Sequence, residues 1–465
     1  MKLVLINPRN PVSLYGDYLW QPLALAYVAA STPPHWTVEL IDEQVEGARD
    51  YSTVDADLVG ITAFTPQAPR AYAVAAQFRA RQIPVVMGGI HASLVQEEAA
   101  RYADAIFIGE CERVWPEVIA DVEAGRLQPR YVGGTASESV VQPDRRIFDK
   151  YQYEYVSAQT TRGCPMDCSF CSVTVFNGRL FRMRTVDDVV SELAAIPERD
   201  LIFVDDDLNG FSRKARQRCF ELFDAMIAAQ LNKQWITQVT INFGDDEALP
   251  QAARAAGCVG VFIGLESTDK ASLALIRKDG TSQRRGTDYY RENVARIRRH
   301  GIGVVGSFIL GIDSQNPATM ADDILRFAAD VDLDALNPTI LTPLPGTRDY
   351  ASLDAAGRIV FKNYPQDWEK YTLAFPVSTM KNISGAGLMR KYVEVLQFFR
   401  PERVAERYWR TYETVSPEAA WHALLWNRVW TNYCLKIGAF RQSPLAETYP
   451  VAIPRAVPER PAVGV

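Results

Sequence analysis

At 465 residues the chain exceeds what one hydrophobic core holds, so two or three domains are expected. Hydrophobic residues make up 48% and charged residues 23%, a globular balance, and no run of apolar residues is long enough to predict a transmembrane helix. A formal charge of -6 with no basic block excludes nucleic acid as a main partner, the short run Arg284, Arg285, Arg296, Arg298 and Arg299 reading as a solvated helix face.

Residues 1–8 lack the cationic and long apolar regions of a signal peptide and read as a first strand, and the chain's closely spaced cysteines fit a reducing cytoplasm, where the protein is expected to work. Up to about residue 130, short apolar runs at 2–7, 37–42, 58–62, 84–88 and 105–109 alternate with helical patterns at 22–31, 67–81 and 114–123. Strands apolar throughout and separated by helices indicate a parallel sheet covered on both faces. Such a doubly wound, Rossmann-like domain binds its ligand beyond the carboxyl ends of its strands. Those ends carry Asn7 and Pro8, Thr62 to Thr65, Gly88, Gly89 and His91, and Gly109 and Glu110. Glycine pairs there suit either close approach to a ligand or a tight turn.

A connector at 131–155 leads to a strand at 156–160 and then to Cys164, Cys168 and Cys171, a C-x3-C-x2-C spacing. Three thiolates fall within eight positions, and no other cysteine or histidine lies within forty residues on either side. Structural zinc wants a closed set of four ligands. A cubane 4Fe-4S cluster wants one ligand per iron, so three thiolates leave one iron open to a chelating small molecule. Beyond the loop, strands at 200–205, 235–240, 259–265, 303–310 and 334–342 alternate with helices at 186–195, 212–230, 288–300 and 321–330. This βα repetition predicts a barrel with its active residues at the strand carboxyl ends. The predicted core is 156–350, followed by a mostly helical, aromatic domain at 351–442 that lids a pocket and a proline-rich, disordered tail at 443–465. The stripe Trp426, Trp430 and Tyr433 has helical spacing and reads as core more than ligand wall.

The cysteine loop, with aromatic Phe170 just before Cys171, resembles that of the radical S-adenosylmethionine (SAM) enzymes. With a Rossmann-like domain ahead of it, residues 1–350 resemble the cobalamin-binding subclass of that superfamily. The resemblance implies an α/β protein with an N-terminal cobalamin domain at 1–130 and a partial (β/α)6 barrel, carrying a 4Fe-4S cluster, SAM and cobalamin. It implies cluster ligation by Cys164, Cys168 and Cys171, and SAM contacts from Phe170, Asp205, Asp206, Asp207, Glu266, Gly306 and Gly311, with Asp313, Thr240, Asn242 and Arg348 as further pocket candidates. On the cobalamin side it implies Asn7, Pro8, Leu23, Thr62, Gly88, Gly89, His91 and Glu110. The chain departs from corrinoid proteins such as methionine synthase, whose cobalt-binding histidine lies in D-x-H-x-x-G after the first strand. Here Asp42 to Gly47 gives only D-x-Q-x-x-G, after the second strand, so base-off cobalamin is expected.

Only Cys111 precedes the loop and only Cys434 follows Cys258, which leaves no cysteines for a second cluster. The expected activity is a C-methyltransferase working on an unactivated carbon of a lipid, tetrapyrrole or secondary metabolite. One SAM would methylate cobalamin and a second would be cleaved reductively to a radical, with flavodoxin or ferredoxin as donor. The alternatives are a cobalamin-dependent cyclase or rearrangement enzyme without methyl transfer, and a corrinoid carrier or sensor.

Overall fold

The computed structural model describes residues 1–9, 20–134, 141–278 and 280–440. The expected disordered tail and most of the loop between Pro8 and Leu23 lie outside the described residues.

The first sheet contains β1 (Lys2–Asn7), β2 (Thr37–Asp42), β3 (Leu58–Thr62), β4 (Val85–Gly88), β5 (Ala105–Ile108) and β6 (Arg130–Val132). All pair in parallel, in the order β2-β1-β3-β4-β5-β6. The apolar runs make physical sense in this setting. Alternate residues of one strand serve opposite faces, Leu3 and Leu5 packing under helices Leu23–Ala30 and Trp115–Glu123 while Val4 and Ile6 pack under helix Ala68–Arg79. Each such buried Leu, Ile or Val contributes about 1.5–3 kcal/mol of apolar transfer. The order reverses direction between β1 and β3, and that switch point opens the crevice at their carboxyl ends.

The second sheet contains β7 (Val156–Ala158), β10 (Asp200–Phe203), β11 (Gln234–Val239), β12 (Cys258–Glu266), β13 (Gly303–Leu310) and β14 (Ala335–Ile340). Between β7 and β10 the chain inserts a two-stranded ribbon of β8 (Thr161–Arg162) and β9 (Arg182–Met183). The six strands are parallel and ordered as in the sequence, with β7 and β14 at the two edges of an open barrel.

Two features depart from the sequence expectation. Residues 130–132, placed at the start of the connector by sequence, form the sixth strand of the first sheet. The segment past β14 also divides its loyalties. Trp368, Tyr371 and Val377 join the core of the first domain, whereas helix Pro417–Lys436 runs under the amino-terminal mouth of the barrel. There Trp426 donates from Nε1 to the Leu336 carbonyl at 3.1 Å, Asn427 donates to the Asp334 carbonyl at 2.9 Å, and His422 Nδ1 lies 2.6 Å from the Tyr155 hydroxyl. This helix therefore stoppers the barrel at the end opposite the cysteine loop. It does not lid the cysteine end.

Candidate active site

The cysteine loop is a closed hairpin. β8 and β9 pair antiparallel, Thr161 opposite Met183 and Arg162 opposite Arg182, so residues 163–181 leave and return at one place. Gly163 has φ +82°, and a Cβ there would lie 2.1 Å from the Leu180 carbonyl oxygen, so the turn admits glycine alone. Asp167 ties the far side down by accepting from Arg348 at 2.7 Å and from Arg277 at 2.7 Å. Arg348 is thus a brace on the loop.

Cys164, Cys168 and Cys171 are free thiols, each half-buried. Burial pushes Cys164 up to about 12, with Asp207, Cys171 and Cys168 adding repulsion, and burial also raises Cys171. An iron bound at each sulfur would hold it as the thiolate. No three Cys, His, Asp or Glu side chains among the described residues crowd around one point as a single ion would require. A cubane does not require that, since each thiolate goes to a different iron. Phe170 leans on Ile276, Ile309, Ile312 and Leu341, an apolar wall at the carboxyl ends of β13 and β14.

The three acids after β10 have separate jobs. Asp205 is fully buried and holds the strand into the loop, accepting from the Thr160 and Thr161 backbone N–H groups at 2.6 and 3.0 Å and from the Thr160 hydroxyl at 2.7 Å. Burial lifts it to about 6. Asp206 accepts from the Gly163 backbone at 2.9 Å and from Asn177 at 3.1 Å, and burial raises it too. Asp207 receives the Thr240 backbone N–H at 3.3 Å on Oδ1, while its buried Oδ2 has no hydrogen-bond partner. Burial pushes Asp207 up to about 7. An orphaned carboxylate oxygen beside Cys164 fits an incoming ammonium, which would supply the missing donor.

Thr240 and Asn242 bond each other, and Asn242 also accepts from Asn209 at 2.8 Å. Glu266 closes β12 at φ +65° after a register shift and pairs with buried Lys278 at 3.2 Å. Lys278 carries no local signal in the sequence, because only the fold brings it back to the strand end. Gly311 has φ +94°, and a Cβ there would press on Leu388 at 3.0 Å. Asp313 pairs with Arg358 at 2.6 Å, which ties the loop after β13 to the segment past β14. At Gly306 a Cβ would meet Leu333 at 2.7 Å and Leu265 at 3.2 Å, so this glycine turns toward the outer helical layer.

On the first domain's carboxyl edge, Asn7 donates to Asp42 at 2.9 Å, and the Pro8 carbonyl accepts from Gln67 at 2.7 Å and Gln44 at 2.9 Å. Leu23 is buried in the core under the sheet. Gly88 is half-buried at the tip of β4. Gly89, at φ +86°, would drive a Cβ to 2.6 Å from the Thr62 hydroxyl, so the glycine pair serves close packing of β3 against helix Gly89–Leu94. His91 is wholly buried, Nε2 at 2.9 Å from the Tyr72 hydroxyl and Nδ1 at 3.3 Å from the Thr65 hydroxyl, with Trp368 edge-on at 5.5 Å. Both ring nitrogens thus face hydroxyls inside the domain. Phe64 stands 67% exposed at the same edge, an apolar face of the kind a corrin ring covers.

Glu110 sits at the meeting of the two domains. It pairs through Oε2 with Arg162 at 3.0 Å and through Oε1 with Arg182, while Glu112 takes the other arm of Arg162 at 2.5 Å. Arg162 also stacks on Tyr27 at 4.9 Å. Arg162 and Arg182 are the paired residues of the ribbon that carries the cysteines, so the carboxyl edges of both sheets face one another across these ion pairs.

A doubly wound domain facing a three-cysteine loop on an open barrel is the arrangement expected of a B12-binding radical enzyme, and comparison with known proteins shows that family. The Radical SAM superfamily description matches residues 158–327 and the B12 binding domain description matches residues 12–119. Bacteriochlorophyllide d C-8(2)-methyltransferase of Chlorobaculum tepidum is 30% identical over 381 residues, 75% of this chain and 78% of that protein. The anaerobic magnesium-protoporphyrin IX monomethyl ester cyclase of Rubrivivax gelatinosus is 26% identical over 429 residues, 81% and 73% of the two chains. The solved cobalamin-dependent radical enzyme OxsB, with aqua-cobalamin and SAM bound, matches at a TM-score of 0.68 over 95% of this chain and 80% of its own, at 12% identity, a likeness of fold. The chain belongs to the cobalamin-binding radical SAM superfamily. It is a radical SAM enzyme of a family that includes methyltransferases, with a 4Fe-4S cluster, SAM and cobalamin as its resident groups. No helix among the described residues is long and apolar enough to cross a membrane.

Proposed function

We propose that this enzyme transfers a methyl group to an unactivated carbon of an apolar, ring-bearing substrate of the tetrapyrrole or polycyclic-lipid kind. The observation that carries the reading is the Glu110/Glu112 to Arg162/Arg182 junction, which turns the carboxyl edge of the first domain onto the cysteine loop. The bacteriochlorophyllide methyltransferase relative supports the substrate class.

In this reading Cys164, Cys168 and Cys171 hold the cluster, and Asp205, Asp206 and Arg348 keep the loop in place. When bound, the three groups supply an electron, a methyl group and a primary radical able to take hydrogen from carbon. The chain's own residues bind and orient. Asp207 Oδ2 accepts from the SAM ammonium, the wall of Phe170, Ile309, Ile312 and Leu341 receives the flat adenine, and the Glu266–Lys278 pair faces its polar end. Burying that end of the site keeps water from a reactive carbon centre. A flavodoxin or ferredoxin is the proposed electron donor.

Asp207→Asn keeps the shape and removes the charge. Binding of SAM to the cluster-loaded protein is expected to weaken by about 1.5–3 kcal/mol, roughly ten- to a hundredfold. Thermal stability should hold or rise, because a buried carboxylate without a full set of donors is removed. Unchanged affinity in a titration would place the ammonium elsewhere.

The activity test quantifies 5′-deoxyadenosine and S-adenosylhomocysteine together, on anaerobic holoenzyme given SAM, a strong reductant and candidate tetrapyrroles or polycyclic lipids. Both products rising with substrate is the expected result. Deoxyadenosine alone would favour the second reading, a cyclase, which the Rubrivivax gelatinosus relative supports. Neither product, with iron and corrinoid bound, would point to a carrier or sensor.

A further inference from the structure

The lumen of the barrel takes no part in the chemistry described so far. Barrels ordinarily fill their interiors with layers of inward side chains and are packed cores. The register of β10 to β13 puts Ile202, Ile236, Gly260 and Gly303 in one inward layer, with Gln238, Phe262 and Val305 in the next. Glycines at 260 and 303 leave that filling incomplete. Helix Pro417–Lys436 closes the floor with small residues at the closest approach, a Cβ on Gly303 lying only 3.3 Å from that of Ala419. A cavity of about 250 Å³ remains between Trp20, Phe262, Val305, Ala423 and Trp426. A hollow of this kind, apolar over most of its wall and open on one side, leaves its lining without dispersion partners until an apolar group enters it.

Its polar content is small and localised. Gln238 is exposed within the lumen, and its amide makes no hydrogen bond to another described residue. His422 is turned to Tyr155 at 2.6 Å and lies 4.0 Å from Asp200. Along β13, Ile309, which packs on Phe170 of the cysteine loop, lies six positions beyond Gly303 at the floor. At about 3.3 Å per residue that is roughly 20 Å of depth. Gly264 and Gln238 both carry accessible surface between those levels.

We infer that the lumen is a deep subsite for a linear hydrocarbon arm of the substrate, which passes down from the cysteine end, meets Gln238 with one hydrogen-bonding group and ends against Trp426. This rests on the reading of the enzyme as acting on an apolar substrate. It assigns helix Pro417–Lys436 the role of setting how long an arm the enzyme accepts.

The probe is 12-bromododecanol, whose bromine quenches indole fluorescence at short range, titrated into the full-length cluster-loaded protein. Saturable quenching with one site per chain is expected. Trp426→Phe should remove part of the quenched signal, and Ala423→Phe, which fills the floor, should weaken binding about tenfold or more by excluding several CH₂ groups. Filling a void should leave the thermal midpoint of Ala423→Phe unchanged or higher, and Val305→Phe fills the cavity from the opposite wall should the first variant misfold. Quenching that never saturates, or that both filled variants retain, overturns the subsite. The two readings separate cleanly. A protein forming both reaction products with substrate yet showing no saturable quenching keeps its methyltransferase assignment and loses the subsite, and saturable quenching without those products does the reverse.

Discussion

Cys168→Ala is expected to yield a folded protein that holds almost no cluster iron and forms 5′-deoxyadenosine at no more than the background rate of the reductant. The argument is one of division of labour within the loop. Its backbone is fixed by groups other than the thiols, namely the β8–β9 ribbon, the Gly163 N–H to Asp206, and Arg348 with Arg277 on Asp167. The three thiols are only half-buried, so removing one leaves no core cavity. What is lost is one of three anionic ligands in a set with no spare. Of the four other cysteines, Cys219, Cys258 and Cys434 are fully buried in the barrel's core, and Cys111 packs against the core of the first domain. Cys219→Ala is the control. Cys219 packs in the core with its Sγ 3.6 Å from the Leu208 carbonyl, so this change should lower the thermal midpoint while iron and sulfide content stay at the wild-type level. Full iron loading in Cys168→Ala would show that the cluster is held elsewhere.

The strands were legible because parallel sheets bury both faces and so write continuous apolar runs into the chain. β3, read at 58–62, is Leu58–Thr62 in the structure, and β13, read at 303–310, is Gly303–Leu310. The elements that escaped are those whose stability is entirely tertiary. β8 and β9 have two residues each, and no local pattern marks a ribbon whose halves lie twenty residues apart. Helix Gly89–Leu94 starts at a glycine pair that reads as a turn. The cysteine loop could be seen because its chemistry fixes spacing along the chain. The acids after β10 were visible as a group, but their separate partners are set by Thr160, Gly163 and Thr240, which only folding brings near. The place of Glu110 between the domains is not legible in the sequence, because its partners Arg162 and Arg182 lie 52 and 72 residues away. The aromatic stripe was read as core, and Trp430 is 1% exposed and stacked on Phe399, whereas Trp426 both packs and walls the lumen.

The second large effect is expected at Arg162→Met. Arg162 is 10% exposed and neutralises two carboxylates of the other domain, Glu110 at 11% and Glu112 at 7%. Methionine fills much of the stem's volume and removes both the charge and the guanidinium's stacking on Tyr27. Glu110 retains Arg182, but Glu112 loses the ion pair it makes with Arg162. Removing one member of a buried pair costs about 3–5 kcal/mol, most of it the burden of the stranded partner. Because that burden sits on Glu112, adding Glu112→Gln should restore part of the lost stability, and a double-mutant cycle measures the coupling directly. Moderate salt should change little, since the pair is shielded from ions. The functional consequence follows from position. Arg162 precedes Gly163 and Cys164, and its partners follow β5, so loss of the pair loosens the first domain's carboxyl edge from the cysteine loop while leaving the three thiols on their ribbon. SAM cleavage to 5′-deoxyadenosine is then expected to persist while S-adenosylhomocysteine formation with substrate falls, an uncoupling that neither a cluster defect nor global unfolding produces. Faster hydrogen exchange confined to Gly89–Leu94 and Ser172–Asn177, which pack together across the junction, would locate the opening there. Equal loss of both products with iron retained would instead assign Arg162 to SAM binding and remove the junction from the mechanism.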